Sequence, residues 1–146
     1  MEFVKLGNKF FPQHHSYVEP FFGSGAVLFN KKPSNIETVN DIDGEVVNLF
    51  ECIKQDPEKL AKIIYLTPYS RDVFEDAYQI RTRDKYEKAS AFMVRCDMGH
   101  GFRTTGEKVG FKMDVQGRES AYAVKHWNQA PNLIMECASR LKEVQI

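Results

Sequence analysis

The segment from Tyr17 to Phe29 constrains the fold more than any other part of the chain. Its sequence, YVEPFFGSGAVLF, predicts a buried strand over 16–22, a turn through Gly23 and Gly25, and a helix over about 26–31. A second short apolar strand follows, and Asp41 stands sixteen positions past Gly25. Glycines let a backbone approach a ligand closely, and a carboxylate at the next strand end can hold two ribose hydroxyls. The pattern therefore predicts an α/β fold that binds a nucleoside cofactor.

The composition fits one globular domain, or a domain with a small appendage. The chain has 146 residues, 42% of them hydrophobic, and its 20 basic and 20 acidic side chains cancel. A net charge of zero neither requires nor excludes nucleic-acid binding, because a local patch of charge matters more than the total charge. No apolar run is long enough to span a membrane, and no signal-peptide core is visible at the N-terminus. We therefore expect a cytoplasmic protein.

Cysteine and histidine give no sign of a metal site. Cys52, Cys96 and Cys137 are far apart and show no metal-ligand spacing. His14 and His15 are adjacent, so on an extended segment their side chains point in opposite directions. We expect reduced cysteines and no bound metal.

Helix-starting signals recur along the first two thirds of the chain. Asp43, Ser70 and Asp84 are each placed to cap a helix, and Asp56 followed by Pro57 is a cap with proline at the first helical position. Apolar residues at helical spacing follow each cap, and the last of these helices extends to about residue 98. A final helical region, over about 119–144, is expected to be interrupted at the Ala130-Pro131 step.

Residues 99–118 differ in character from the helices around them. They are rich in glycine and basic side chains, too polar for a core and too long for a simple turn, which predicts a functional loop or a small ribbon. Most such sets of charges are simply solvated. Interleaved with Phe102 and Phe111, however, these could grip phosphates. The candidate DNA-binding set is Arg95, Arg103, Lys108, Lys112 and Arg118.

The sequence resembles the Dam-like DNA adenine-N6 methyltransferases at YVEPFFGSG (17–25) and VNDID (39–43). The likeness continues through VNLF (47–50) and LTPYS (66–70), and it resumes at RLKEVQI (140–146). It implies that S-adenosylmethionine is the cofactor and that double-stranded DNA is the partner. It also assigns Asp41 to the ribose hydroxyls and Ile42 to packing against the adenine. The cofactor-binding set that it implies is Glu19, Pro20, Phe21, Phe22, Gly23, Ser24, Gly25, Asp41 and Ile42. For Glu19, capping of the glycine turn is an equal alternative.

The resemblance implies a partial Rossmann-like, doubly wound methyltransferase fold with a mainly helical DNA-recognition insertion. Residues 1–66 would form the first part of the cofactor-binding domain, 67–135 the insertion, and 136–146 a return towards the catalytic strand. A doubly wound fold needs four or five parallel strands, whereas the sequence places two. The unpaired strand edges predict self-association or pairing with a complementary C-terminal chain.

Two family features are missing from this sequence. The Gly-Gly-Lys-like segment expected before the first strand is absent, and no Pro-Pro pair exists that could form the catalytic Asp-Pro-Pro-Tyr motif. That motif orients the poorly nucleophilic adenine amine, and orientation alone can be worth ~7–11 kcal/mol of barrier. We therefore assign no catalytic residue and expect this chain alone to be inactive.

The resulting interpretation is the N-terminal portion of a bacterial or phage DNA adenine methyltransferase, truncated before its catalytic motif. An alternative is a non-catalytic DNA-binding remnant, or a subunit of a split modification enzyme. A third reading, an unrelated nucleotide-binding enzyme, would prefer a dinucleotide to S-adenosylmethionine.

Overall fold

A computed structural model describes residues 11–101, 106–113 and 122–146 of the chain. Strands and helices alternate at first, and a run of helices then leads back to the sheet. The strands are β1 (Ser16–Glu19), β2 (Ile36–Val39) and β3 (Val144–Gln145). The helices are α1 (Ala26–Asn30), α2 (Gly44–Gln55), α3 (Pro57–Tyr65), α4 (Arg71–Asp76), α5 (Lys85–Met98) and α6 (Tyr122–Leu141).

The three strands form a parallel sheet in the order β1-β2-β3. Glu19 pairs with Val39 at the end of the β1–β2 ladder, and Glu37 pairs with Val144 across β2 and β3. The expectation of only two strands was therefore wrong, because the last residues of the chain return to the sheet. Strand β1 is also shorter than the expected span of 16–22, since the chain turns after Glu19.

Only one face of this sheet is covered among the described residues. Glu37, Val39 and Val144 are buried on the face that packs against helices. On the opposite face Val18 is 66% exposed and Ile36 is also exposed. Parallel sheets are normally buried on both faces, so this open face is unusual for the sheet type.

The predicted helix caps are confirmed. Asp43 accepts a hydrogen bond from the amide of Glu45, and Asp56 accepts one from Lys59 with Pro57 at the first helical position. Ser70 and Asp84 cap α4 and α5 in the same way. Each oxygen satisfies an amide that the first helical turn leaves without a partner. Local side-chain chemistry therefore fixes where these four helices begin.

Helix α6 runs without a break through Pro131, so the expected interruption at Ala130-Pro131 was wrong. Ala130, Ile134 and Ala138 are buried along one face of the helix, on both sides of the proline. Packing of this long apolar face outweighs the loss of one backbone hydrogen bond at the proline.

The core lies where α2, α3, α5 and α6 meet beneath the covered face of the sheet. Trp127 is the largest fully buried side chain, and its indole nitrogen donates a 2.8 Å hydrogen bond to the Thr67 carbonyl. Within the described part of the chain, no helix is both long and apolar enough to cross a bilayer.

A buried ion cluster joins α6 and the end of α1 to β2. The Glu37 carboxylate accepts hydrogen bonds from Lys31 at 2.5 Å and from both terminal nitrogens of Arg140, at 2.5 and 2.9 Å. All three side chains are largely withdrawn from solvent, which makes the cluster costly to break from one side. It fixes the helix that precedes β3 against the central strand.

Candidate functional site

The glycine turn lies at the carboxyl end of β1 and has a backbone that only glycine adopts readily. Gly23 and Gly25 have φ values of 52° and 70°, in the left-handed region. The Gly25 amide donates to the Phe22 carbonyl at 2.8 Å, which closes the turn directly before α1. A Cβ at Gly23 would meet no atom within 4 Å, so the space above Gly23 is open to a ligand.

Asp41 connects the glycine turn to the end of β2. One carboxylate oxygen accepts from the Gly23 amide at 2.8 Å, and the other accepts from the Asp43 amide at 2.9 Å. These hydrogen bonds, the one from Asp43 first, lower the pKa of Asp41, so it is ionised at neutral pH. Each oxygen keeps a second lone pair, which leaves acceptor capacity for a pair of ligand hydroxyls.

Two apolar side chains project from this strand-end surface into solvent. Phe21 lies two residues past the end of β1 and is 80% exposed, and Ile42 lies three residues past the end of β2 and is 93% exposed. A large apolar side chain exposed beside a carboxylate and a glycine turn is suited to packing against a flat ring. Pro20 and Ser24 are exposed in the same turn.

Phe22 differs from the other residues of the predicted cofactor set because its ring lies in the core. It packs edge-on against Phe50 with ring centroids 4.6 Å apart, and it also contacts Phe29. Phe22 therefore supports the turn from beneath, while its amide donates to the Asn40 carbonyl at 2.9 Å. That backbone bond holds the turn against the end of β2.

Glu19 is engaged within the protein. Its carboxylate accepts from the Tyr17 hydroxyl at 2.8 Å, and the Leu28 amide also donates to it. Burial raises the pKa of Glu19 despite these hydrogen bonds. The contact with Leu28 ties the end of β1 to α1.

A cavity of about 500 Å³ opens beside the glycine turn. Gly23, Ser24 and Asp41 form its polar edge, and Phe50 and Trp127 are among the apolar side chains of its walls. The walls come mainly from α2, α5 and α6. The turn and Asp41 therefore lie at the rim of this cavity.

The structure gives each described residue of the predicted DNA-binding set a partner inside the protein. The Arg95 guanidinium is 12% exposed, donates to the Ala77 carbonyl at 2.9 Å and lies 2.5 Å from the Glu45 carboxylate. Lys108 pairs with Glu75, and the Lys112 ammonium donates to the Asp97 carbonyl at 3.0 Å. Arg103 and Arg118 lie outside the described residues.

Residues 106–113 return alongside the end of α5 as the predicted small ribbon. Gly99 and Phe111 form an antiparallel bridge, with hydrogen bonds from His100 to Gly110 and from Lys112 to the Met98 carbonyl. Sequence reasoning did not select Arg71, which lies against this ribbon at the start of α4. An exposed arginine at a helix start carries no local signal that could have identified it.

No metal-binding cluster of three or more His, Cys, Asp or Glu side chains is found over 11–101, 106–113 and 122–146. His14 contacts the Pro12 carbonyl through its Nδ1 atom, and all three cysteines are free thiols. Burial raises the pKa of Cys96 to about 12 and that of Cys137 to about 11, so neither is a thiolate at neutral pH.

Comparison with known proteins points to one family. The model of the family described as "D12 class N6 adenine-specific DNA methyltransferase" matches residues 5–104, which include the glycine turn, Asp41 and α2 to α5. A relative, "Type II methyltransferase M1.LlaDCHI" from Lactococcus lactis subsp. cremoris, is 30% identical over 74 residues. The match covers 50% of this chain and 25% of the relative, so the chain spans about a quarter of that protein's length.

Proposed function

Because the chain belongs to the D12 class N6 adenine-specific DNA methyltransferase family, we propose that it carries the S-adenosylmethionine site of such an enzyme. The bridge from Asp41 to the Gly23 amide carries the proposal, because it brings a carboxylate and an open glycine backbone together at one strand edge. In the complete enzyme the methyl group would pass to adenine N6 in double-stranded DNA. S-adenosylmethionine supplies an electrophilic methyl group on its sulfonium.

The described residues fit such a cofactor. The open space at Gly23 admits close approach of a ligand to the backbone. Asp41 is ionised and retains acceptor positions for the two ribose hydroxyls, while the exposed Ile42 offers an apolar surface for the adenine. Phe22 and Gly25 hold the shape of the turn from beneath. Glu19 acts through Leu28 and Tyr17, and it supports the turn rather than the ligand.

Methyl transfer also requires acceptors that orient the adenine amine, and we propose that these lie outside the 146 residues. The sequence has no Pro-Pro pair that could supply part of such an acceptor set. Loss of such positioned groups removes orientation as well as electrostatic stabilisation. This chain would therefore bind the cofactor and DNA, but it would not transfer the methyl group.

Titration calorimetry with S-adenosylmethionine tests the cofactor site. Asp41→Asn removes the charge that accepts the ribose hydroxyls, and hydrogen bonds to charged groups are worth about 1.5–3 kcal/mol, or roughly 10- to 150-fold in Kd. Asp43→Asn is the matched control, because asparagine also caps α2 and Asp43 carries no ligand in the proposal. Equal weakening by both variants, or preference of the unaltered chain for a dinucleotide, would contradict the assignment.

A second assay follows labelled methyl groups from S-adenosylmethionine to unmethylated duplex DNA. The chain alone should bind DNA with strong salt dependence but transfer no methyl group. Robust turnover by this chain would show that it contains its own amine-orienting acceptors and that the division proposed above is wrong.

A further inference from the structure

We propose that Arg71 is a DNA phosphate-contacting residue of this chain, presented by a platform formed by the ribbon of residues 106–113. The inference rests on the proposed function, since it takes DNA as the partner, and it adds a residue that neither the sequence pattern nor the family match singles out. It follows from the exposure and the interaction partners of the basic side chains around the ribbon.

The guanidinium of Arg71 is exposed and lies over the ring of Phe111, with its central carbon 5.4 Å from the ring centroid. One terminal nitrogen lies 3.2 Å from the sulfur of Met113, which is a weak acceptor. Neither contact neutralises the charge. The aromatic ring instead orders a planar cation on a residue that remains exposed to solvent.

The platform beneath Arg71 is itself fixed. The Lys112 amide donates to the Met98 carbonyl at 2.7 Å, which ties the ribbon to the end of α5. The Tyr69 hydroxyl donates to the Lys112 carbonyl at 2.6 Å, and the centroids of the Tyr69 and Phe111 rings are 5.4 Å apart. An arginine ordered before binding loses less side-chain entropy when it meets a phosphate.

The neighbouring cations are less available. Arg95 is mostly buried against Glu45, and Lys108 pairs with Glu75. The Lys112 ammonium is held by a backbone carbonyl. Among the residues that the structure describes around the ribbon, Arg71 thus combines exposure, an ordered guanidinium and the lack of a carboxylate partner. These properties fit a bidentate contact with a phosphate oxygen pair.

The test measures binding of a short unmethylated duplex by fluorescence anisotropy over a series of salt concentrations. Each phosphate contact contributes about 0.9 to the slope of log affinity against log salt. Arg71→Gln should lower the magnitude of that slope by about 0.9. If the two proteins bind equally at roughly 1 M salt, this slope difference weakens binding by the variant about eightfold at roughly 0.1 M salt. Lys142→Gln, an exposed change of equal charge at the end of α6, should leave the slope unaltered.

Two further variants separate the charge from the platform. Arg71→Lys keeps the charge and should retain most of the slope while binding more weakly, because an ammonium cannot form the planar bidentate contact. Phe111→Leu should also weaken binding and leave the slope largely intact, since the cation is still present but no longer ordered.

The outcomes distinguish the inference from the proposed function. Salt-dependent binding by the unaltered chain, with an unchanged slope in Arg71→Gln, would overturn the role of Arg71 alone. An equal slope change in Lys142→Gln would also overturn it, because the effect would then follow net charge. No salt-dependent DNA binding by the unaltered chain would overturn both. Far-UV circular dichroism and thermal unfolding of each variant establish that the comparisons are made between folded proteins.

Discussion

Replacing Gly25 by alanine should destabilise the protein much more than replacing Gly23, although both glycines occupy the same turn. Both residues have left-handed φ values, so alanine at either position incurs a backbone penalty of about 1–2 kcal/mol. Both substitutions also reduce the entropy of the unfolded chain to the same extent. These contributions therefore cancel when the two variants are compared.

The packing around the two glycines differs. A Cβ at Gly25 would lie 2.4 Å from a ring carbon of Phe29 and 2.6 Å from one of Phe22, whereas a Cβ at Gly23 meets nothing within 4 Å. The rings cannot easily move aside, because Phe22 and Phe29 both pack against Phe50. Overpacking of this kind costs about 1–3 kcal/mol. Gly25→Ala should therefore lose about 1–3 kcal/mol more of the free energy of unfolding than Gly23→Ala.

Urea unfolding followed by circular dichroism measures this difference, provided that the m value is the same for all three proteins. In thermal unfolding, the same difference should separate the two melting temperatures by roughly 3–10 °C. Equal destabilisation by the two alanines would refute the reasoning, because it would mean that the phenylalanine rings yield without cost. Cofactor titration should show the reverse order once stability is taken into account, since Gly23 faces the open side of the turn.

Three further predictions concern acid stability, the core and the open sheet face. Burial alone would raise the pKa of Glu37, but hydrogen bonds from Arg140 and Lys31 lower it from 4.5 to about 2. The ionised Glu37 should therefore stabilise the fold fully above about pH 4.5, and this stabilisation should be lost as the pH falls towards 2. Urea titrations across this range should show a loss of the free energy of unfolding that is absent in Glu37→Gln. That variant is itself destabilised by about 3–5 kcal/mol, because it leaves two cations without a carboxylate. Identical dependence of stability on acid pH in the two proteins would contradict the lowered pKa. Trp127→Phe should lower the free energy of unfolding by about 1–3 kcal/mol because the Thr67 carbonyl loses its donor, and an unchanged urea midpoint would contradict that role. Sedimentation should show concentration-dependent association that Val18→Lys reduces, and a monomer at every concentration would refute the link to the open face.

Local features of the fold could be predicted from the sequence. Asp43, Asp56, Ser70 and Asp84 identify helix starts because a cap depends on residues two or three positions away. The glycine turn and the following strand were recognisable for the same reason. Their chemistry is contained in a few consecutive residues.

Features that depend on distant residues could not be predicted. Strand β3 is two residues long and owes its existence to pairing with Glu37 and Thr38, which lie far earlier in the chain. The interruption expected at Pro131 was wrong because packing of α6 outweighed a local rule. Likewise, the sequence showed Arg95 as a basic residue beside a basic loop, and it could not reveal that Glu45 and the Ala77 carbonyl would enclose it.

The buried cluster around Glu37 also has a consequence for the order of folding. Lys31 lies six residues before Glu37, so this contact can form together with the local β1–α1–β2 unit. Arg140 lies 103 residues after Glu37, and its arrival closes a loop that contains most of the helices. Closure of so long a loop is slow and follows the formation of local structure. Until α6 docks, Glu37 holds one cation in place of two, and β2 lacks the partner that makes it the central strand.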